Sequence, residues 1–349
     1  MSGSLPSKNI LVVGPSWVGD MVMAQSLFIY LKQRESDIKI DVVAPDWSLP
    51  LIARMPEVRQ GIGLSIGHGE LRLRQRLQAG RALRKIDYRQ AIILPRSLKS
   101  ALLPFFARVP VRTGYRGEYR YGLINDLRKM PAVLDQTVKR FVALGLPADA
   151  APGQDFGDVC PRPGLKVDTV NQAEKIDALG LDGDGPAISI MPGAEYGPAK
   201  QWPVEYYAEL VKRFARQGVQ SWLLGSSKDR ETADNIVRLA GGKGVNLCGR
   251  TTLPDAVDLI AHTRLAVSND SGLMHIAAAV NCPVVAIYGS SSPAYTPPLS
   301  DRAIVMYRGI DCSPCFQRQC PYGHYRCLKE ITVSDVIQSV QSTGVINIS

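Results

Sequence analysis

Short β-branched runs alternate with helical stretches from Asn9 onward, and after a Pro-, Gly- and Asp-rich interruption at 147–163 the same alternation begins again. Strand and helix in turn predict a parallel sheet with helices on both faces. In the first half the expected strands are Ile10 to Val13, Ile38 to Val43 and Ala91 to Leu94, with helices at Met21 to Arg34 and Ser97 to Ala107. In the second half strands are expected at Ala187 to Met191, Gln220 to Leu224, Val245 to Cys248, Leu265 to Ser268 and Val284 to Tyr288. Helices near Val204 to Gln217, Asp229 to Leu239, Pro254 to His262 and Leu273 to Val280 separate them. A chain of 349 residues is too long for one compact core and suits two. The expected fold class is therefore α/β: two doubly wound parallel-sheet domains, residues 1–150 and 151–332, facing across a cleft that takes ligands at the carboxyl ends of the strands. The last helical pattern, Val333 to Val340, is expected to pack back so that 333–349 joins the first domain.

Charge divides the chain unevenly. Residues 1–150 hold 23 Lys and Arg against 12 Asp and Glu, a net of +11, while the remainder holds 18 against 20, a net of −2. The first half thus suits a polyanion: a phosphorylated substrate, an anionic membrane surface or nucleic acid. Arg96 and Lys99 flank a strand end, and Arg112, Arg116, Arg120 and Arg128 follow with Tyr115, Tyr119 and Tyr121 among them. No nucleic-acid module signature accompanies this mixture, so nucleic acid is not an expected partner. The run Arg72, Arg74, Arg76, Arg81, Arg84 and Lys85, with Leu71, Leu73, Leu77 and Leu83 between, reads as a helix that either rests on anionic headgroups or presents a solvated face. No run of 18 apolar residues exists, and Met1 to Lys8 is a polar lead without an apolar signal core, so the chain is expected to remain in the compartment where it is made. Seven cysteines, an odd number, argue against a disulfide framework there. Four of them, Cys312, Cys315, Cys320 and Cys327, surround His324 and hold enough ligands for zinc, but the spacing is irregular beside paired Cys-x2-Cys modules. No metal and no cofactor is assigned.

Three loops carry the chemistry. Gly14-Pro15-Ser16-Trp17-Val18-Gly19-Asp20 has the glycine spacing of a phosphate-binding loop, yet Asp20 stands where a cation is needed and would repel phosphate. Gly-x-Gly-x-x-Gly is also missing, which disfavours a nucleotide-binding oxidoreductase. Asp20 at the head of a helix is either its cap or a general base. Ser268-Asn269-Asp270-Ser271-Gly272-Leu273-Met274-His275 turns from a buried strand into a helix, with capping residues at Asp270 and Ser271 and a glycine that admits a ligand to the backbone. First-turn amides at such a junction bind anions. His275, one turn beyond Ser271, either packs beneath the loop or touches the ligand. Pro192 to Pro203 brings Lys200 to a helix start, where it can meet the same phosphates and make a diphosphate a fitting ligand. After the next strand, Asp229 is either an N-cap or an acceptor for ribose hydroxyls, with Glu231 as its neighbour in that role.

Gly14 to Asp20, Leu94 to Ala101, Pro192 to Pro203 and Asn269 to Ala279 together resemble the bacterial ADP-heptose:lipopolysaccharide heptosyltransferases, and within that family its type II members. The resemblance implies a GT-B architecture of two Rossmann-like domains, with acceptor on the first and ADP-heptose on the second. It makes Asp20 the base, and has Lys200, Asp270, Ser271, Gly272 and His275 serve the diphosphate, with Asp229 at the ribose. The acceptor it implies is phosphorylated heptosyl-Kdo2-lipid A, consistent with Arg96, Lys99, Arg116 and Arg120 in the basic half. The implied reaction is metal-independent, inverting transfer of L-glycero-D-manno-heptose to the first heptose of the inner core, or to another core position. The implied place is the cytoplasmic face of the inner membrane. The cysteine-rich segment departs from the family's enterobacterial members.

Overall fold

The computed structural model describes residues 7–64, 70–148, 150 and 160–346, so most of the expected linker lies outside the described residues. The chain divides into two compact units, residues 1–163 and 164–349. The first contains β1 (Asn9–Val13), α1 (Val18–Arg34), β2 (Lys39–Ala44), α2 (Leu49–Ile52), β3 (Val58–Gly63), α3 (Leu73–Leu83), β4 (Tyr88–Ile93), α4 (Leu98–Phe106), β5 (Val111–Tyr115), β6 (Asp126–Arg128) and α5 (Thr137–Ala143). Its strands pair in parallel in the order β3-β2-β1-β4-β5-β6. The central strands β1 and β2 are almost continuously apolar because helices cover both faces.

Sequence patterning overlooked β3, β5 and β6 for a shared reason. Val-Arg-Gln-Gly-Ile-Gly in β3 is largely exposed at a sheet edge, and β5 and β6 carry Arg, Thr, Gly and Asp. Pairing with neighbours, more than intrinsic propensity, makes these segments strands. α3 falls on the basic run, where it was expected, but Arg76 turns inward and donates from Nε to the Leu71 carbonyl at 2.7 Å.

A buried carboxylate ties β2 to its neighbours. Asp41 is fully buried and accepts from Arg59 Nε at 2.8 Å, Gln60 Nε2 at 3.0 Å and the Tyr88 hydroxyl at 2.5 Å. Burial, with the adjacent Asp41 carboxylate, drives the Tyr88 hydroxyl pKa well above its ordinary value, so it remains a donor.

The second unit contains α6 (Thr169–Ala178), β7 (Ala187–Met191), α7 (Val204–Arg216), β8 (Gln220–Leu223), α8 (Arg230–Leu239), β9 (Val245–Asn246), α9 (Leu253–His262), β10 (Leu265–Asn269), α10 (Gly272–Ala279), β11 (Val284–Tyr288), β12 (Ala303–Tyr307), α11 (Arg326–Lys329) and α12 (Val333–Ser342). Its parallel order is β12-β11-β10-β7-β8-β9. Counted from β7, this repeats the order of the first unit, and both have the Rossmann arrangement. The expected α/β class with two doubly wound sheets is thus present.

The last helix corrects an expectation. α12 belongs to the second unit and does not join the first, because Val333, Val336, Ile337 and Val340 form one apolar stripe buried with Tyr207, Val211 and Phe214 of α7. Trp202, itself buried, fixes the approach by donating from Nε1 to the Ile331 carbonyl at 2.8 Å.

Replacing Asp41 with Ala leaves Tyr88 and Arg59 without their anion and is expected to cost the first unit about 3 kcal/mol, the lower end for a broken buried pair because Arg59 is half-exposed. Urea unfolding checks this; a loss below about 1 kcal/mol would remove Asp41 from the interactions that matter.

Candidate functional site

In a sheet of this order the loops leaving the first and fourth strands diverge, and the crevice between them takes ligands. In the first unit those strands are β1 and β4. The turn after β1 begins at Gly14, whose amide donates to the Val43 carbonyl at 2.9 Å. A Cβ on Gly14 would stand 2.7 Å from Met21 Cε, so the turn packs closely on α1 and a larger residue would have to displace that methyl group. The N-cap of α1 is Trp17, and Asp20 is the third helical residue. Asp20 is therefore not the N-cap residue: its half-buried carboxylate sits in a first turn whose dipole favours negative charge.

The loop after β4 carries Arg96, which is exposed, and Lys99, which is half-buried in the first turn of α4. Glu118 Oε2 accepts from the Leu98 amide at 2.9 Å and serves as the cap that Ser97 does not provide. A Cβ on Gly117 would lie 2.3 Å from the Arg96 carbonyl oxygen, so the two loops touch through backbone. Arg116 is exposed beside them.

Arg120 does not stand with these cations. It is 1% exposed, and its Nη1 donates to the carbonyls of Pro95 at 2.6 Å and Ser97 at 3.3 Å and to Ser100 Oγ at 3.1 Å, while Nη2 donates to the Tyr115 carbonyl at 2.6 Å. Burial pushes its pKa down to about 10. The expectation that Arg120 touches an acceptor is corrected: a guanidinium enclosed by protein oxygens holds the loop that bears Arg96 and Lys99. Sequence cannot distinguish a solvated arginine from one that organises a loop.

In the second unit β7 and β10 flank the corresponding crevice. Lys200 Nζ lies 2.6 Å from Asp270 Oδ2, with the two side chains 18% and 5% exposed. The Asp270 amide donates to the Ile287 carbonyl at 3.0 Å, so neither its carboxylate nor its N–H is directed to an outside anion. Asp270 orients Lys200. Ser271 is the N-cap of α10 but makes no side-chain cap, and its Oγ instead lies 3.2 Å from Ser268 Oγ. The helix thus begins at Gly272 with first-turn amides that lack intrahelical acceptors, beside an ammonium.

Asn269 is the residue sequence reasoning overlooked. Fully buried, it accepts at Oδ1 from the Trp202 amide at 3.0 Å and the Tyr207 hydroxyl at 2.9 Å, and donates from Nδ2 to the Pro192 carbonyl at 2.6 Å. One amide side chain therefore locks the Lys200 loop to the Asp270 turn. Its signal was an amide at a buried strand end, where a side chain with both donor and acceptor is otherwise costly.

His275 is 4% exposed, and burial pushes its pKa down to about 4, with Asp270 opposing and Lys200 assisting. It is a neutral support beneath the turn. Asp229 closes a capping box, accepting at Oδ2 from the amide and hydroxyl of Ser226, each at 2.8 Å. It also packs so closely on Gly193 that a Cβ there would lie 2.3 Å from Oδ1.

Two Rossmann-ordered units, one carrying an acid and cations on the loops after β1 and β4 and the other an ammonium near open helix amides, define a two-domain enzyme of nucleotide-linked substrates. Residues 76–326 match the profile of glycosyltransferase family 9 (heptosyltransferase), and the chain belongs to that family. It is a glycosyltransferase of the GT-B class. It is 47% identical over 306 residues to the lipooligosaccharide heptosyltransferase 2 of Haemophilus influenzae, covering 85% of this chain and 88% of that one. It is 43% identical over 344 residues to the lipopolysaccharide heptosyltransferase 2 of Escherichia coli K12, covering 96% and 98%. The solved structure of E. coli ADP-heptose lipopolysaccharide heptosyltransferase II superposes with a TM-score of 0.85 at 41% identity, over 96% of this chain and 98% of that one.

The depressed His275 pKa sets an acid limit on stability. Above pH 6.5 the residue is neutral folded or unfolded; between 6.5 and about 4 only the unfolded chain takes the proton, so stability falls with pH. The expected cost is about 2–3 kcal/mol at pH 4.5. Chemical unfolding of wild type and His275→Gln at pH 7 and 4.5 checks it, and an equal pH loss in both proteins would exclude His275 as the cause.

Proposed function

We propose that this chain transfers L-glycero-D-manno-heptose from ADP-heptose to the first heptose of the lipopolysaccharide inner core, with inversion and without a divalent metal. The observation that carries the reading is the Lys200 ammonium, held by Asp270 beside the uncapped start of α10. The names of the relatives at 43–47% identity agree with it. In this reading Lys200 and the first-turn amides from Gly272 bind the donor diphosphate, and Asp229 Oδ1, which is outside the capping box, accepts from ribose. Asp20 takes the proton of the acceptor hydroxyl as its oxygen attacks the anomeric carbon. The bond to ADP breaks with its electron pair on the β-phosphate oxygen. Charge grows on that oxygen in the transition state, so cationic and N–H donors there lower the barrier.

The basic first unit receives the acceptor. Arg96, Lys99 and Arg116 suit the phosphates of heptosyl-Kdo2-lipid A, and Arg120 acts through the loop it holds. Among the described residues no helix is long and apolar enough to cross a membrane. A lipid acceptor brings the enzyme peripherally to the cytoplasmic face of the inner membrane, where Leu71 and Leu73, both exposed, and the exposed Arg74 and Arg81 of α3 meet anionic headgroups.

ADP release from ADP-heptose in the presence of EDTA, with acceptor bearing one heptose, tests the reading. Asp20→Asn is expected to lower kcat by about 10²–10⁴-fold. Lys200→Met is expected to raise donor KM at least about tenfold through the loss of a charge-assisted bond. Acceptor lacking its first heptose should support no release; turnover on it would reassign the core position.

A further inference from the structure

The mechanism leaves the cysteine-rich segment unused, and the structure gathers it. Cys312, Cys315, Cys320 and Cys327, all free thiols, line one cavity of about 20 Å³ with His324, Ala199 and Ser290. The Cys320 sulfur lies 3.9 Å from His324 Nδ1, so the ring stands against the thiol cluster. His324 Nδ1 accepts from the Arg326 amide at 3.0 Å, which places the ring proton on Nε2, 4.0 Å from Cys312 Sγ. The histidine thus lies against two of the four sulfurs, those of Cys312 and Cys320. Among the described residues no group of three or more Cys, His, Asp or Glu already stands in metal-holding geometry. Binding therefore draws the thiols inward, toward the roughly 3.8 Å separations that metal–sulfur bonds of about 2.3 Å require. The cavity has room for about one water-sized occupant.

The same segment braces the phosphate loop. The Phe316 carbonyl accepts from the Tyr196 hydroxyl at 2.6 Å, and the Arg318 carbonyl accepts from the Ala199 amide at 3.1 Å. Gly197 has φ 146°, and a Cβ there would lie 2.6 Å from the Arg318 oxygen. Lys200 Nζ and the Arg318 guanidinium stand 5.1 and 5.3 Å from the Tyr196 ring.

We propose that Cys312, Cys315, Cys320 and Cys327 bind one thiophilic divalent ion, zinc or iron, as a structural site that holds residues 316–318 against the Lys200 loop. The positioning half of this rests on Lys200 being the diphosphate cation. Soft thiolates select such ions, and a closed set of four sulfurs leaves no open position for catalysis.

Elemental analysis of the full chain, purified without oxygen and then incubated with zinc or ferrous iron, tests the site. About one ion per chain is expected, near zero in a Cys312→Ser/Cys315→Ser double variant and unchanged in Cys160→Ser. Wild type that takes neither metal stoichiometrically overturns the proposal. Should the double variant not fold, mercurial titration of wild type with a chromogenic chelator replaces it: release of the ion in step with four thiols supports the site, and thiols that react without release refute it. Calorimetry with ADP addresses the second half, where removing the ion is expected to weaken affinity about tenfold. Unchanged affinity would overturn the positioning role, whereas a metal-loaded wild type that binds no ADP would count against the reading of Lys200 and leave the metal site standing.

Discussion

A parallel strand cannot return by a hairpin, so every connection in these sheets crosses a face, and the handedness of that crossing is fixed. Where the direction of winding reverses, two neighbouring strands send their outgoing loops apart. That divergence occurs once in each unit, at β1 beside β4 and at β7 beside β10. Asp20 and Lys99 follow the first pair, Lys200 and Asp270 the second. The chemistry is placed by topology before any side chain is chosen.

What the side chains add is fixation of loops that the sheet alone leaves loose. Three buried polar groups do this in different ways. Asp41 gathers donors from three residues between strands, Arg120 gathers oxygens from two loops, and Asn269 both gives and receives. Asp41 and Asn269 avoid the penalty of an unpaired buried group by facing several partners at once, and Arg120 does so through its two Nη atoms while its buried Nε has no partner. Arg120 also shows why charge counts overstate a binding surface: one of the cations in the basic half is turned inward, onto backbone carbonyls and the Ser100 hydroxyl.

Much of the architecture was legible because central parallel strands are largely apolar, as β1, β7, β10 and β11 are. Of the four edge strands only β9 was legible. β3, β6 and β12 depend on a neighbour for their conformation, and their composition carries little trace of it. α12 was visible as a helix but its destination was not, since an apolar stripe names no partner. At the site, the loops around Asp20, Lys200 and Asp270 announced themselves through glycine and capping residues. Roles inside them did not: Asp20 is not the N-cap, Asp270 holds a lysine, and Asn269 attracted no notice although it joins the Lys200 loop to the Asp270 turn.

The Lys200–Asp270 pair makes the empty and filled states of the proposed donor site rivals for one ammonium. A diphosphate that reaches Lys200 must displace or share an anion the protein already supplies, so its net affinity is a difference between two pairings. This lowers the grip on the donor, and it lowers the grip on spent ADP equally. The internal carboxylate is then an ever-present competitor at fixed, very high local concentration, waiting to reclaim its partner. An enzyme built this way resists clogging by its own nucleotide product, because vacating the site restores an ion pair and never strands a buried charge.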